Sequence, residues 1–252
     1  MASHKAKQAA ATLIRKHSKY LDTADIEGLL SAIGAYGSTV VTSAAGELLR
    51  EIIPNIFMYM RSIPDNAFQF TKDYNITIPS NIDAIGRAGF SFSDLYKVKI
   101  ENPNISIGNE AFAFCRNLEE IQVKGASFIR DNAFENCYNL KILPNMNGAS
   151  RIGKSAFKGC RGLTTIFISP GVMVIDENCF EGCVNATSLI LPDTITTLES
   201  KCFATCVSLE TIHYSGTKYQ WGQIQKHNQW RYACPQQTVR CKDGDIILKS
   251  RA

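Results

Sequence analysis

The sequence predicts an α/β solenoid of about seven coils with a parallel sheet on one face, preceded by an N-terminal helical region and closed by a C-terminal cap. Three observations carry that prediction. An aliphatic residue followed five places later by Phe occurs seven times, as Ile63/Phe68, Ile85/Phe90, Ile107/Phe112, Ile129/Phe134, Ile152/Phe157, Ile175/Phe180 and Leu198/Phe203. Successive Phe residues stand 22, 22, 22, 23, 23 and 23 positions apart, a period at which each unit forms one coil that buries its apolar face only against its neighbours. The third observation is a change of rhythm inside each unit. Ala-Phe-x-x-Cys-x-x-Leu has the spacing of a short helical or 3₁₀ turn, and Ile-x-Ile alternates with the period of a strand.

Residues 1–62 differ in texture from the rest. Ala6 to Tyr20 is Ala-rich with scattered Lys and Arg, which suits a helix with a solvated basic face. Asp22 or Thr23 is placed to cap a second helix through Ile26, Leu29, Leu30 and Ile33, an i, i+3, i+4, i+7 stripe. Ser43 is placed to start a third helix through Leu48, Leu49 and Ile52, which Pro54 interrupts. The expectation is a small helical region packed on the first coil.

Residues 63–213 form the array. Ile107-Gly-Asn-Glu-Ala-Phe112-Ala-Phe-Cys115-Arg-Asn-Leu118-Glu-Glu-Ile121-Gln-Val123 and Ile152-Gly-Lys-Ser-Ala-Phe157-Lys-Gly-Cys160-Arg-Gly-Leu163-Thr-Thr-Ile166-Phe-Ile168 show the full unit. Each coil is expected to add one strand to a parallel sheet. Ser93 stands where Cys is expected, Leu95 comes one place early, and Ala186 replaces a Leu. Leu140-Lys-Ile-Leu-Pro-Asn-Met-Asn-Gly148 should shorten a strand and add a loop.

These residues resemble the BspA-like (Treponema-type) leucine-rich repeats, whose unit is close to Ile-Gly-x-x-Ala-Phe-x-x-Cys-x-x-Leu-x-x-Ile-x-Ile-Pro. Ile76-Thr-Ile-Pro79 and Leu189-Ile-Leu-Pro192 match its last part, and Tyr214-Ser-Gly-Thr-Lys-Tyr-Gln-Trp221 is similar to a segment that often closes such arrays. The resemblance implies a leucine-rich-repeat solenoid over about 63–214, with residues 214–252 as the cap. The stacked repeat itself implies a non-enzymatic binding scaffold, and the resemblance implies surface adhesion and host-protein binding for many secreted members.

Charge narrows the partner. The net charge is +2 over residues 1–62, −3 over 63–213 and +5 over 214–252, so the array lacks the broad basic face that nucleic acid requires. A protein partner is expected and a nucleic-acid partner disfavoured. The alternative uses the ends, where Lys5, Lys7, Arg15, Lys16 and Lys19 precede any acid, and Lys218, Lys226, Arg231, Arg240 and Lys242 surround Trp221, Trp230, Tyr219 and Tyr232. Cations mixed with aromatic rings suit a nucleic acid or an acidic partner.

No stretch approaches the roughly 18 apolar residues of a membrane span. The apolar stretch Ala9 to Ile14 is broken by Thr12 and followed by Arg15 and Lys16, unlike a secretory leader. The expectation is therefore a cytoplasmic adaptor or inhibitor; a secreted or surface adhesin is the alternative if a leader has been removed.

Alternation along the strands predicts the binding face. From Phe112 onward, the residues eight places after each Phe are Glu120, Ile142, Thr165, Ser188 and Thr211, and those ten places after are Gln122, Pro144, Phe167, Ile190 and His213. Phe167 and Ile190 then lie side by side on an exposed face rimmed by polar groups, the pattern of a protein-docking patch. The candidate partner-binding residues are Glu120, Gln122, Thr165, Phe167, Ser188, Ile190, Thr211 and His213.

No catalytic residue, cofactor or metal is expected. His4, His17, His213 and His227 are scattered, and the chain contains no phosphate-binding loop, zinc-protease helix or nucleophile elbow. Five of the nine cysteines, Cys115, Cys137, Cys160, Cys183 and Cys206, sit three residues after a repeat Phe as small buried apolar groups. The alternative is a four-thiol zinc cluster from Cys179, Cys183, Cys202 and Cys206, whose pairs recur 23 residues apart.

Overall fold

A computed structural model describes residues 61–71 and 75–250. The expected helical region falls almost entirely on residues 1–60, outside the described residues.

Each coil but the fourth contributes two strands, where one is expected from the sequence. The repeat aliphatic residue ends the first strand. These strands form one eight-stranded parallel sheet in the order β1 (Ser62–Ile63), β3 (Ala84–Ile85), β5 (Ile105–Ile107), β7 (Ala126–Ile129), β8 (Arg151–Ile152), β10 (Val174–Ile175), β12 (Thr197–Leu198) and β14 (Gln225–Lys226). Most are two residues long, too short for an alternating pattern to show in the sequence.

The expected Ile-x-Ile strands make a second parallel ladder in two pieces. A three-stranded sheet holds β2 (Asn75–Ile78), β4 (Lys97–Ile100) and β6 (Glu120–Val123). A five-stranded sheet holds β9 (Thr165–Phe167), β11 (Ser188–Leu191), β13 (Thr211–Tyr214) and β15 (Gln237–Cys241) in parallel, with β16 (Gly244–Leu248) antiparallel at its edge. The break falls on the fourth coil, where 141–148 forms no strand at all. Pro144 has no N–H to donate to a ladder, and it turns inward instead of joining the exposed row expected for it.

The third side of each coil is a ladder of turns. The stretch expected as a short helix does contain i→i+3 bonds, such as Ala111 N–H to Gly108 O at 3.3 Å and Cys115 N–H to Phe112 O at 3.2 Å. Helix is stopped by left-handed residues two places before and two places after every repeat Phe, as at Glu110 (φ 58°) and Phe114 (φ 60°). They turn alternate N–H groups along the solenoid axis, so that Phe112 donates to Ala133 O at 2.8 Å and Phe134 to Ala156 O at 2.7 Å. A side chain in this conformation costs energy. The cost is repaid because a buried backbone must find all its hydrogen bonds.

The core is a file of stacked rings. Phe68, Phe90, Phe112, Phe134, Phe157, Phe180 and Phe203 are all at most 2% exposed, with successive centroids 5.1 to 5.3 Å apart and ring planes within 15°. The Cys three residues later does more than fill space. Its thiol donates to the carbonyl of the preceding coil's Phe, Cys115 to Phe90 at 3.0 Å, Cys137 to Phe112 at 3.1 Å and Cys160 to Phe134 at 3.2 Å. Ser93 makes the same bond to Phe68 at 2.9 Å, and Thr71, in the same position of the first coil, donates to the Phe68 carbonyl of its own coil at 2.7 Å.

The described residues form eight coils, against about seven expected, because the region expected as a plain cap contains another. Lys226 pairs with Leu198 in the aliphatic position. Phe203 N–H donates to Trp230 O at 2.8 Å, which places Arg231 in the Phe position, and Cys234 donates to Phe203 O at 3.0 Å as the repeat requires. The Trp230 ring closes the Phe file edge-on, 6.1 Å from Phe203 at 86°. A short helix, α1 (Lys218–Gln223), begins at Thr217 with a capping box to Gln220 and buries Trp221 against Tyr214 and Trp230. The Lys226 ammonium lies 4.8 Å from the Trp221 ring centre and caps the carbonyls of Trp221 and Ile224. Burial holds it below the usual lysine range.

A candidate protein-binding face

Six of the eight residues predicted from the sequence come together on the five-stranded sheet. Thr165, Ser188 and Thr211 form one register row, and Phe167, Ile190 and His213 form the next. The buried residues between them, Ile166, Leu189 and Ile212, are fully covered, as strand alternation demands. Phe167 is 50% exposed, whereas Ser188, Ile190, Thr211 and His213 are half-buried. The rows continue into β15 with Thr238 and Arg240, which pair with Thr211 and His213. These two extra members are invisible to the repeat pattern because their coil has lost its Ile and Phe landmarks.

Glu120 and Gln122 lie on the other sheet. Gln122 donates to Glu120 at 2.8 Å and Lys97 forms an ion pair with it at 3.2 Å. The hydrogen bond from Gln122, then that from Lys97, keeps the Glu120 carboxyl below its ordinary range. The fourth coil separates this polar cluster from Phe167, with Ile142 65% exposed between them. A shallow depression of about 400 Å³ over β2, β4 and β6 is lined by Asn75, Thr77, Tyr96, Lys97, Lys99 and Gln122.

A second exposed apolar row escaped the sequence reading. Phe70, Phe92 and Phe114 stack along the turn side with centroids 5.3 and 4.7 Å apart, and Phe70 and Phe92 are 40% and 45% exposed. The signal was present as Phe-x-Phe in the first three coils. Its meaning depends on the left-handed turn, which points the second ring outward.

The four-thiol alternative does not assemble. Cys179, Cys183, Cys202 and Cys206 are fully buried, and Cys183 and Cys206 direct their protons to Phe157 and Phe180 carbonyls at 3.3 and 3.2 Å. Among the described residues, no three His, Cys, Asp or Glu side chains are placed to hold one metal ion. Burial pushes the Cys183 thiol up to about 12, the reverse of the thiolate that zinc binds. The consequence is selective reactivity. Cys241 is half-buried and the other eight cysteines are buried, so a thiol reagent is expected to label Cys241 first in the folded protein. Peptide mapping by mass spectrometry checks this, and rapid labelling of Cys115 or Cys160 without denaturant is the contrary result.

At the cationic, aromatic C-terminal end the two Trp and Arg231 are structural, whereas Tyr219 and Tyr232 are 76% and 44% exposed and Lys218, Arg240 and Lys242 are exposed. Trp221 and Trp230 are 4% exposed and Arg231 is 5% exposed, so neither indole offers a face for a base to stack on. The N-terminal cations lie outside the described residues. Among the described residues, no helix is long and apolar enough to cross a membrane.

Two parallel ladders, a ladder of turns and an unbroken Phe file define the repeat geometrically, and the BspA type leucine-rich repeat region matches residues 50–160 and 127–224 in six copies. The chain belongs to the BspA-type leucine-rich-repeat family. Solved leucine-rich repeat proteins share this fold. A leucine-rich repeat protein from Bacteroides ovatus is 22% identical with a TM-score of 0.59, over 70% of this chain and 46% of the other. The chain thus spans about half the length of that relative. The T. pallidum leucine-rich repeat protein is 23% identical with a TM-score of 0.51, over 60% of this chain and 72% of the other. No curated protein matches the chain.

Proposed function

We propose that this chain is a non-enzymatic recognition scaffold that binds a protein through the outer face of its five-stranded sheet, as an adaptor or inhibitor. The observation that carries the reading is the apolar pair Phe167 and Ile190, held in register on adjacent strands of that face. Thr165, Ser188, Thr211 and His213 supply hydrogen-bonding groups around it, the composition of a compact protein interface. Arg240 and Thr238 extend the face, and Glu120 and Gln122 would engage only a partner long enough to cross the fourth coil. A cytoplasmic location belongs to the same proposal, because the interior thiols serve as hydrogen-bond donors and not as disulfide partners.

The test is a quantitative capture assay from host lysate. Phe167→Asp with Ile190→Asp is expected to leave the circular dichroism spectrum unchanged and to lower capture of the specific partner by at least about 100-fold, as for loss of two central contacts. Unchanged capture would show that the partner uses another surface, and the exposed Phe70–Phe92–Phe114 row is the next to vary.

A further inference from the structure

We propose that this protein forms a two-fold dimer by antiparallel pairing of β16 with β16 of a second copy. Among the described residues, β16 ends the five-stranded sheet and pairs on one side only, with β15. The hairpin between them turns through two residues, Lys242 and Asp243, so Cys241 and Gly244 are the hydrogen-bonded pair beside the turn. Alternation then directs the N–H and C=O of Gly244, Ile246 and Leu248 toward β15. Those of Asp245 and Ile247 point to the open edge.

Natural sheets protect such an edge with proline, a bulge, a covering segment or charged side chains, and here the charges, Asp245 and Lys249, only flank an apolar centre. Between Asp245 and Lys249, β16 carries only Ile246, Ile247 and Leu248. Ile246 and Leu248 pack against the core, whereas Asp245, Ile247 and Lys249 are exposed, Ile247 by 57%. The exposed residues select the occupant. About a two-fold axis through Ile247, the two Ile247 residues face each other and Asp245 of each copy faces Lys249 of the other. A strand that is acidic before its centre and basic after it complements itself when antiparallel, and sets like charge against like when parallel. Arg231 donates to the Lys249 carbonyl at 2.6 Å and so fixes the strand end. That oxygen keeps a second lone pair for Asp245 N–H of the other copy.

Such a dimer joins two five-stranded sheets edge to edge. Ile247 pairs with Thr238 and Asp245 with Arg240, so the pairing continues the face that bears Phe167 and Ile190 and presents that face twice. The dimer itself does not depend on what the face binds.

Sedimentation analysis of the full chain over micromolar concentrations is the test. The wild-type protein is expected to show a reversible monomer–dimer equilibrium. Ile247→Pro removes only an edge-facing N–H, so it should leave the fold intact and weaken association at least about tenfold. Lys249→Asp and Asp245→Lys should each weaken self-association to a similar degree. An equimolar mixture of those two variants should restore it, because each then faces its complement. A wild-type protein that stays monomeric, or a mixture that associates no better than either variant alone, overturns the proposal. If Ile247→Pro disturbs folding, the mixing experiment decides alone.

Discussion

Phe157→Ala is expected to destabilise the protein by about 3 to 5 kcal/mol, the range for removing a large buried aromatic side chain from a packed core. Phe157 sits mid-file, 5.1 Å from the Phe134 ring and 5.3 Å from the Phe180 ring, and is fully buried. Its loss opens a cavity with a ring on either side. Neither ring can slide into the gap, because both are fixed by the inter-coil bonds of the turn ladder. Position matters as well as size. A solenoid is stabilised by nearest-neighbour interfaces, so damage at the centre weakens two interfaces and can uncouple the two halves. Urea denaturation checks both expectations. The midpoint should fall, and the single transition should broaden or split. A loss below about 1 kcal/mol would show that the file is not a continuous core, since even deletion of a single buried methylene group is worth about that much.

Alkaline unfolding should begin above about pH 9, well before the lysines titrate in an unfolded chain. Burial pushes the Cys115 and Cys183 thiols up to about 12 from an ordinary value of 9.0. Cys137, Cys160, Cys179, Cys202 and Cys206 move in the same direction for the same reason. Between those pH values the unfolded chain gives up thiol protons that the folded chain retains, so stability contributed by the neutral thiols is complete below pH 9 and is lost as pH rises toward 12. Each of Cys115 and Cys183 accounts for a loss on the order of 4 kcal/mol across that window. Denaturant titrations at pH 8, 9.5 and 11 should show the decline. Cys183→Ser keeps a donor for the Phe157 carbonyl, as Ser93 does for Phe68, and removes one titrating thiol, so it should flatten the slope. A slope unchanged by that substitution would assign the loss to other groups.

Much of the fold was legible because burial repeats. Phe and Cys recur at fixed intervals since every coil offers them the same environment, and a periodic environment leaves a periodic trace. The inter-coil thiol bond was not legible, because Cys reads as a small apolar residue until a carbonyl is placed beside it. Residues that adopt positive φ left only a partial trace. Asn66, Asn132, Asn136, Asn178, Gly159 and Gly182 suit such positions, but Ala, Glu, Ser, Lys, Phe and Thr hold the others, so backbone geometry there is imposed largely by the neighbouring coil. The eighth coil disappeared from the pattern when Lys226 and Arg231 took the two landmark positions. Its backbone is kept by hydrogen bonds to the seventh coil, which do not depend on side chains.

The candidate site divides the same way. Alternation placed Phe167 and Ile190 on one exposed face, because a strand residue next to a buried one must point the other way. Whether all the exposed rows formed one surface depended on the fourth coil, where Pro144 and the missing strand cut the ladder in two and left Glu120 and Gln122 on the far side.

By itself, then, the sequence determined the stacking axis, the identity of the core and the polarity of the outer strand face, since each follows from a local period of two or about twenty-two. Tertiary structure alone decided how many coils the described residues form, that the fourth coil loses its outer strand entirely, that the Phe70, Phe92 and Phe114 rings point outward and which strand edge stays open. Those features arise between coils, where hydrogen bonds made by backbone atoms are indifferent to which side chains carry them.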